Sequence, residues 1–364
     1  MINTWVKQFR IKDKQVVSMF IDSANISVVV QGAIGANTEQ CLQSVRKFLP
    51  SAEIILSTWV GTDTTDLDYD KLILNDNVEV QFYSTNPDEK VNNVNRQIVS
   101  TLSGLHVATR KYVLKIRTDF ILKSAEFLEY FDLYNKSDST YSVFKHKILS
   151  CTNFARNPRH NAYQYVFHPS DIAFFGLRTD LINLFDIPLM SKSDAMYHKI
   201  GGFRYNRYVP EQHIWVNCLR KNGHNIQFNR FETPSEKLIV DTEKYFVSSF
   251  IFLSWNQFGL VPPTRFTNIL NHTEYDYISC ITHSEWVKLY KTYLDKNVEV
   301  PQDDLRKNLV LLSKSEHHCK TIARIFVLFM FAFPKSRRKL RNYIYQFLCN
   351  IFLSKVMRRI CKDL

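Results

Sequence analysis

The chain has 364 residues, 45% hydrophobic and 23% charged, an ordinary balance for a globular protein with a large core. Its formal net charge is +12, from 47 basic and 35 acidic residues, but 12 of the basic and only 2 of the acidic ones lie from Lys314 onward. The first 313 residues therefore hold 35 basic against 33 acidic, and without basic charge spread around a groove no nucleic-acid partner is expected.

The first element is an apolar run of strand length at residues 26–30, ending in Gln31-Gly32. Asn37-Thr38 then caps a helix that runs through Phe48, with Pro50 closing it. A second strand follows at residues 53–59, and alternation over residues 78–83 predicts a third. Residues 92–109 read as a helix whose apolar positions Val94, Ile98, Leu102, Leu105 and Ala108 share one face. A strand at residues 111–116 then runs into Arg117-Thr118-Asp119. Strands alternating with helices predict a mostly parallel, doubly wound α/β sheet.

In such a sheet, ligands gather beyond the carboxyl ends of the strands. Arg117 there matches phosphate bidentately, and Asp119 is a hard oxygen ligand of the kind Mg²⁺ prefers. Arg117 and Asp119 therefore suit a diphosphate with a divalent cation, Mg or Mn, held by Asp119; a surface ion pair is the competing reading. The nine glycines form neither a dinucleotide-binding fingerprint nor a P-loop. Seven scattered cysteines without C-x-x-C fit a reducing compartment.

Further on, Asp171 follows His168-Pro169-Ser170 and precedes an apolar strand through Gly176. It either takes hydrogen bonds from an acceptor or shapes the turn. A Gly201-Gly202 loop rich in Arg and Tyr leads to Pro210-Glu211, which open a helix; Glu211 there also suits the first turn as a favourable charge. Residues 225–313 carry no readable motif. In the tail, residues 322–333 are apolar but too short to span a bilayer. After Pro334, Leu340, Tyr343, Ile344, Phe347, Leu348, Ile351 and Phe352 form an apolar stripe with basic flanks. That pattern suits an anionic membrane surface or a helix pair packed on the domain. The start lacks a signal-peptide core, so a cytoplasmic protein, peripheral on the inner face of the membrane, is expected.

Several segments in fixed order resemble the WavE lipopolysaccharide-synthesis family of glycosyltransferases. They are Val30-Gln31-Gly32, Ile55-Leu56-Ser57-Thr58-Trp59, Asn95-Arg96-Gln97 with Gly104-Leu105, and Lys115-Ile116-Arg117-Thr118-Asp119, followed by His168-Pro169-Ser170-Asp171, Phe175-Gly176 and Pro210-Glu211-Gln212. The resemblance implies a GT-A-like nucleotide-sugar transferase of surface polysaccharide. Gln31, Gly32, Thr58, Arg96, Lys115, Arg117 and Asp119 are then expected at the donor, and Glu211 and Asp171 at the acceptor. Arg117 stands where the first Asp of Asp-x-Asp belongs in inverting GT-A families, and an arginine there can neutralise a leaving diphosphate without an ion. Gln212 replaces the usual base and leaves Glu211 as its nearest substitute. The expected organisation is a catalytic domain over residues 1–313, with a nucleotide-binding half at about 20–125 and an acceptor half at about 140–313. Residues 314–364 form a membrane-associating tail. A non-catalytic or phospho-sugar-transferring protein of an envelope-assembly complex is the alternative.

Overall fold

Six residues in succession, Ile26–Gln31 (β1), are buried, as a strand covered on both faces by helices requires. Glu53–Trp59 (β2) shares that character up to its last residue. The computed structural model describes residues 21–85, 91–159, 165–200, 202–228, 231–267 and 279–302. The proposed tail of residues 314–364 lies outside the described residues. Among the described residues, no helix is long and apolar enough to cross a membrane.

Lys71–Asn75 (β3), Tyr112–Arg117 (β4), Ile148–Cys151 (β5), Phe174–Leu177 (β6) and Phe250–Leu253 (β7) complete a seven-stranded sheet. Its order is β7-β5-β6-β4-β1-β2-β3. Six strands point the same way, and β6 alone runs antiparallel to its neighbours β4 and β5. The longer helices among the described residues are Thr38–Phe48 (α1), Val94–Val107 (α2), Arg178–Phe185 (α3), Pro210–Lys221 (α4), Glu236–Ser249 (α5) and His283–Tyr293 (α6). This is the expected mostly parallel, doubly wound α/β architecture, with one sheet running through both halves of the chain.

One strand was misplaced by the alternation. The third sheet strand is β3, paired parallel to β2, whereas Gln81–Phe82 only forms a short ribbon with Val91–Asn92. In that ribbon Gln81 is buried and Phe82 is exposed, so the alternation faces opposite to a core strand. Edge position explains how β3 escaped notice: Lys71 sits on its solvent side and pairs with Glu53 at 2.6 Å.

Helix α2 lies directly on β1 and β2, and Gly104 makes that approach possible. A Cβ at Gly104 would stand 2.5 Å from Val29 Cγ1 and 3.5 Å from Ser57 Cβ. Gly104→Ala is accordingly expected to destabilise the fold by about 1–3 kcal/mol through overpacking. Urea unfolding checks it, and an unchanged midpoint would mean that α2 has room to retreat.

Candidate functional site

The loop leaving β1 begins at Gly32, whose φ of +126° is the left-handed region that glycine tolerates. A Cβ there would also meet Thr118 Oγ1 at 3.3 Å. Thr118 donates through that hydroxyl to the Ala33 carbonyl at 2.7 Å, and its backbone N–H donates to Gln31 O at 3.1 Å. The ends of β1 and β4 are thus tied together. They part in opposite topological directions, since β1 has β2 on one side and β4 on the other, which is where open α/β sheets bind ligands.

A cleft of about 500 Å³ opens at this point. Gln31, Gly32, Arg96, Arg117 and Asp119, which the resemblance puts at the donor, line it. Trp59, Gln97, Ser100 and Arg265 join them. Asn93, Arg96, Gln97 and Ser100 come from the first two turns of α2 at helical spacing, so the polar face of that helix was a readable signal. Ser100 donates to Gln31 Oε1 at 2.9 Å, and the Arg96 guanidinium lies 5.8 Å from the Trp59 ring.

Among the described residues that line the cleft, Asp119 is the one carboxylate, against three guanidinium groups. Arg117 Nε donates to Asp119 Oδ1 at 3.1 Å, and Arg265 pairs with Asp119 Oδ2. Side-chain exposures of 32% for Arg117 and 20% for Asp119 make this a sheltered pair, not a surface contact. Arg265 was not foreseen. It belongs to a segment carried to the site by the ribbon of Leu260–Val261 with Ile121–Leu122, and nothing in the local sequence announces that meeting.

A divalent cation fits this donor set poorly. Mg²⁺ demands a near-octahedral shell of oxygens, and here a single carboxylate has both oxygens engaged by arginines. Among the described residues no group of three His, Cys, Asp or Glu side chains converges.

Two expected donor residues lie inside the sheet and do not line the cleft. Thr58 is fully buried, and its hydroxyl has no partner among the described residues. Lys115 is also fully buried. Its Nζ donates to the carbonyls of Asp171 at 2.8 Å and Ile172 at 3.1 Å, and burial drives its ammonium down to about 7. Lys115 therefore holds the entry to β6, the strand beside β4.

On the same 171–172 turn a second group assembles. Gln97, which lines the cleft, donates through Nε2 to the Asp171 carbonyl at 2.8 Å. Glu211, in the first turn of α4, is only 15% exposed and lies 3.8 Å from His168 Nε2. Burial, and after it the negative charge of Asp171, push the Glu211 carboxyl up to about 8, with Arg156 opposing. Arg156 was missed in the sequence; its backbone N–H donates to the His168 carbonyl at 2.9 Å. Gln212, where a base might have stood, is wholly buried. It donates to Val166 O at 2.9 Å and accepts from Val209 N at 3.4 Å, a helix-capping role. A smaller cavity of about 220 Å³ opens past Gln212, with Tyr165, Gln227, Phe228 and Glu232 in its wall.

A family model described as WavE lipopolysaccharide synthesis matches residues 26–325. Curated protein sequences give no match. Among solved structures, a Drosophila β-1,4-galactosyltransferase 7 variant, crystallised with manganese, UDP-Gal and xylobiose, aligns at 13% identity and a TM-score of 0.27. That alignment covers 56% of this chain and 67% of that one.

Proposed function

The chain belongs to the WavE lipopolysaccharide-synthesis family, and from that premise we propose that it is an inverting glycosyltransferase. It moves a sugar from a nucleotide-sugar donor to a lipopolysaccharide, capsule or other surface-glycan acceptor. One observation carries the reading: a cationic cleft at the sheet's switch point is joined, through Gln97 and the Asp171 carbonyl, to the half-buried and electrostatically linked carboxyl groups of Glu211 and Asp171.

In this reading the nucleotide lies in the cleft, its base against Trp59 and its diphosphate at Arg117. The acceptor enters from the side of Glu211, where the cavity walled by Tyr165 and Phe228 offers aromatic faces to a sugar. Glu211 takes the proton of the acceptor hydroxyl, whose oxygen attacks the anomeric carbon. The bond to the diphosphate breaks, and the guanidinium groups receive the departing negative charge. A carboxyl tuned toward neutral pH suits this task, because a base works best when its pKa approaches the working pH. Asp171 orients the acceptor and keeps Glu211 basic. The apolar stripe and basic flanks in the sequence of residues 314–364 support a location on the inner face of the membrane, where lipid-linked acceptors are reached.

A donor screen with anomeric analysis tests the proposal. Incubation with UDP-, GDP-, CMP- and dTDP-sugars and a lipopolysaccharide or lipid-linked acceptor is expected to give transfer from one donor class, with inverted configuration in the product. Retained configuration would remove the need for an enzymic base. Absence of transfer from every donor would favour a non-catalytic partner in envelope assembly.

A further inference from the structure

We infer that the cleft holds the two ionised phosphates of its donor on a clamp of three arginines, Arg96, Arg117 and Arg265, in place of a divalent cation. The inference rests on the reading of the cleft as a nucleotide-sugar site and specifies how that site meets the charge of its ligand.

Charge balance is the first support. Three guanidiniums and the Asp119 carboxylate leave the described residues of the lining at +2, which neutralises the two negative charges of a nucleoside diphosphate bonded to a sugar. A cation added to this site would leave it over-neutralised. The second support is geometric. Asp119 offers its two oxygens to Arg117 and Arg265, so the carboxylate that would ligate a metal instead fixes two guanidiniums. Arg117 spends its Nε on that contact, and its terminal amino groups form the fork that matches a phosphate.

The third support is preorganisation. The Phe266 ring lies 5.8 Å from the Arg117 guanidinium and 5.0 Å from that of Arg265, and so spaces the two groups. Phe266 is itself packed 5.6 Å from Phe120 and 5.9 Å from Phe154. Its backbone approach is set by Gly259, whose carbonyl accepts from Lys123 N at 2.7 Å. Gly259 has a φ of +70°, and a Cβ there would stand 2.5 Å from Ser124 O. Two segments remote in sequence are therefore built to present their arginines together, which is the arrangement expected where planar phosphate recognition replaces an ion.

Isothermal titration of the full chain with UDP, GDP, CDP and dTDP, first in excess EDTA and then with Mn²⁺ or Mg²⁺, tests the clamp. At least one nucleotide is expected to bind in EDTA, with a Kd that either metal improves less than tenfold. Arg265→Ala should weaken that nucleotide by about 10- to 100-fold, the scale of a lost charge-assisted hydrogen bond, with Arg265→Lys falling between. Because Arg265 is half exposed, its melting temperature should stay near wild type. Binding that needs metal, or that metal improves tenfold or more, overturns the clamp, as does an Arg265→Ala variant within tenfold of wild type. If none of the four nucleotides binds with or without metal, the donor-cleft reading fails, and the clamp with it.

Discussion

Glu211→Gln is expected to lower turnover by roughly 10²–10⁴-fold while leaving nucleotide binding intact. The size follows from the role: a positioned base contributes on that scale, and the amide keeps the shape of the side chain but cannot take a proton. The environment supplies a second, independent readout. Since burial and Asp171 raise the Glu211 carboxyl to about 8, kcat/KM of wild type should climb with pH on an acid limb that ends near that value. In Glu211→Gln the limb should vanish. In Asp171→Asn it should move to lower pH, because the charge that disfavours ionised Glu211 has been removed, and the acceptor KM should rise more than kcat falls.

Stability responds in a defined direction to the same group. Folding lifts the carboxyl from its ordinary 4.5 to about 8. Across that window the folded chain keeps a proton that the unfolded chain has released, so this contribution is full below 4.5 and is lost as pH rises through 8. Urea titrations should show the corresponding fall in wild type and its absence in Glu211→Gln. An Asp171→Asn enzyme that is inactive beside an active Glu211→Gln would transfer the role of base to Asp171.

Arg117→Ala is the second large effect, with kcat/KM for the donor expected to fall about 10²–10³-fold, the cost of removing one preorganised group that stabilises developing negative charge. Arg117→Lys should recover little of this, because an ammonium is a point charge without the planar fork. Asp119→Ala should lose a comparable factor by releasing both Arg117 and Arg265 from their shared anchor. Steady-state kinetics with the donor identified by the screen, alongside circular dichroism to verify the fold, checks all three. Near-wild-type turnover in Arg117→Ala would place the diphosphate elsewhere in the molecule.

Much of the cleft lining was readable residue by residue. The helical spacing of Val94, Ile98, Leu105 and Ala108 foretold the buried face of α2, and its complement, from Asn93 to Ser100, lines the cleft. The charged end of β4 was a sound pointer because a strand that is buried up to Ile116 has little reason to stop in Arg-x-Asp unless something polar waits there. By contrast, Lys115 looked equivalent to Arg117, two residues away on the same face of the strand. What separates them is β6: its antiparallel insertion beside β4 brings the Asp171 and Ile172 carbonyls over Lys115 and leaves Arg117 at the open end.

Periodicity and charge are local properties of a chain, so the amino-acid sequence alone marked α1, α2 and α4, the strands β1, β2, β4 and β6, and the charged tip of β4, but not α3, α5, α6, β3, β5 or β7. Which distant segments meet that tip is set by the order of strands in the sheet and by close contacts such as Gly259 against Ser124. The pairing of Arg265 with Asp119, and the burial that tunes Glu211 beside Asp171 and Arg156, therefore arise only in the folded chain. Electrostatic effects depend on distance and on exclusion of water, and neither quantity has any counterpart in linear order.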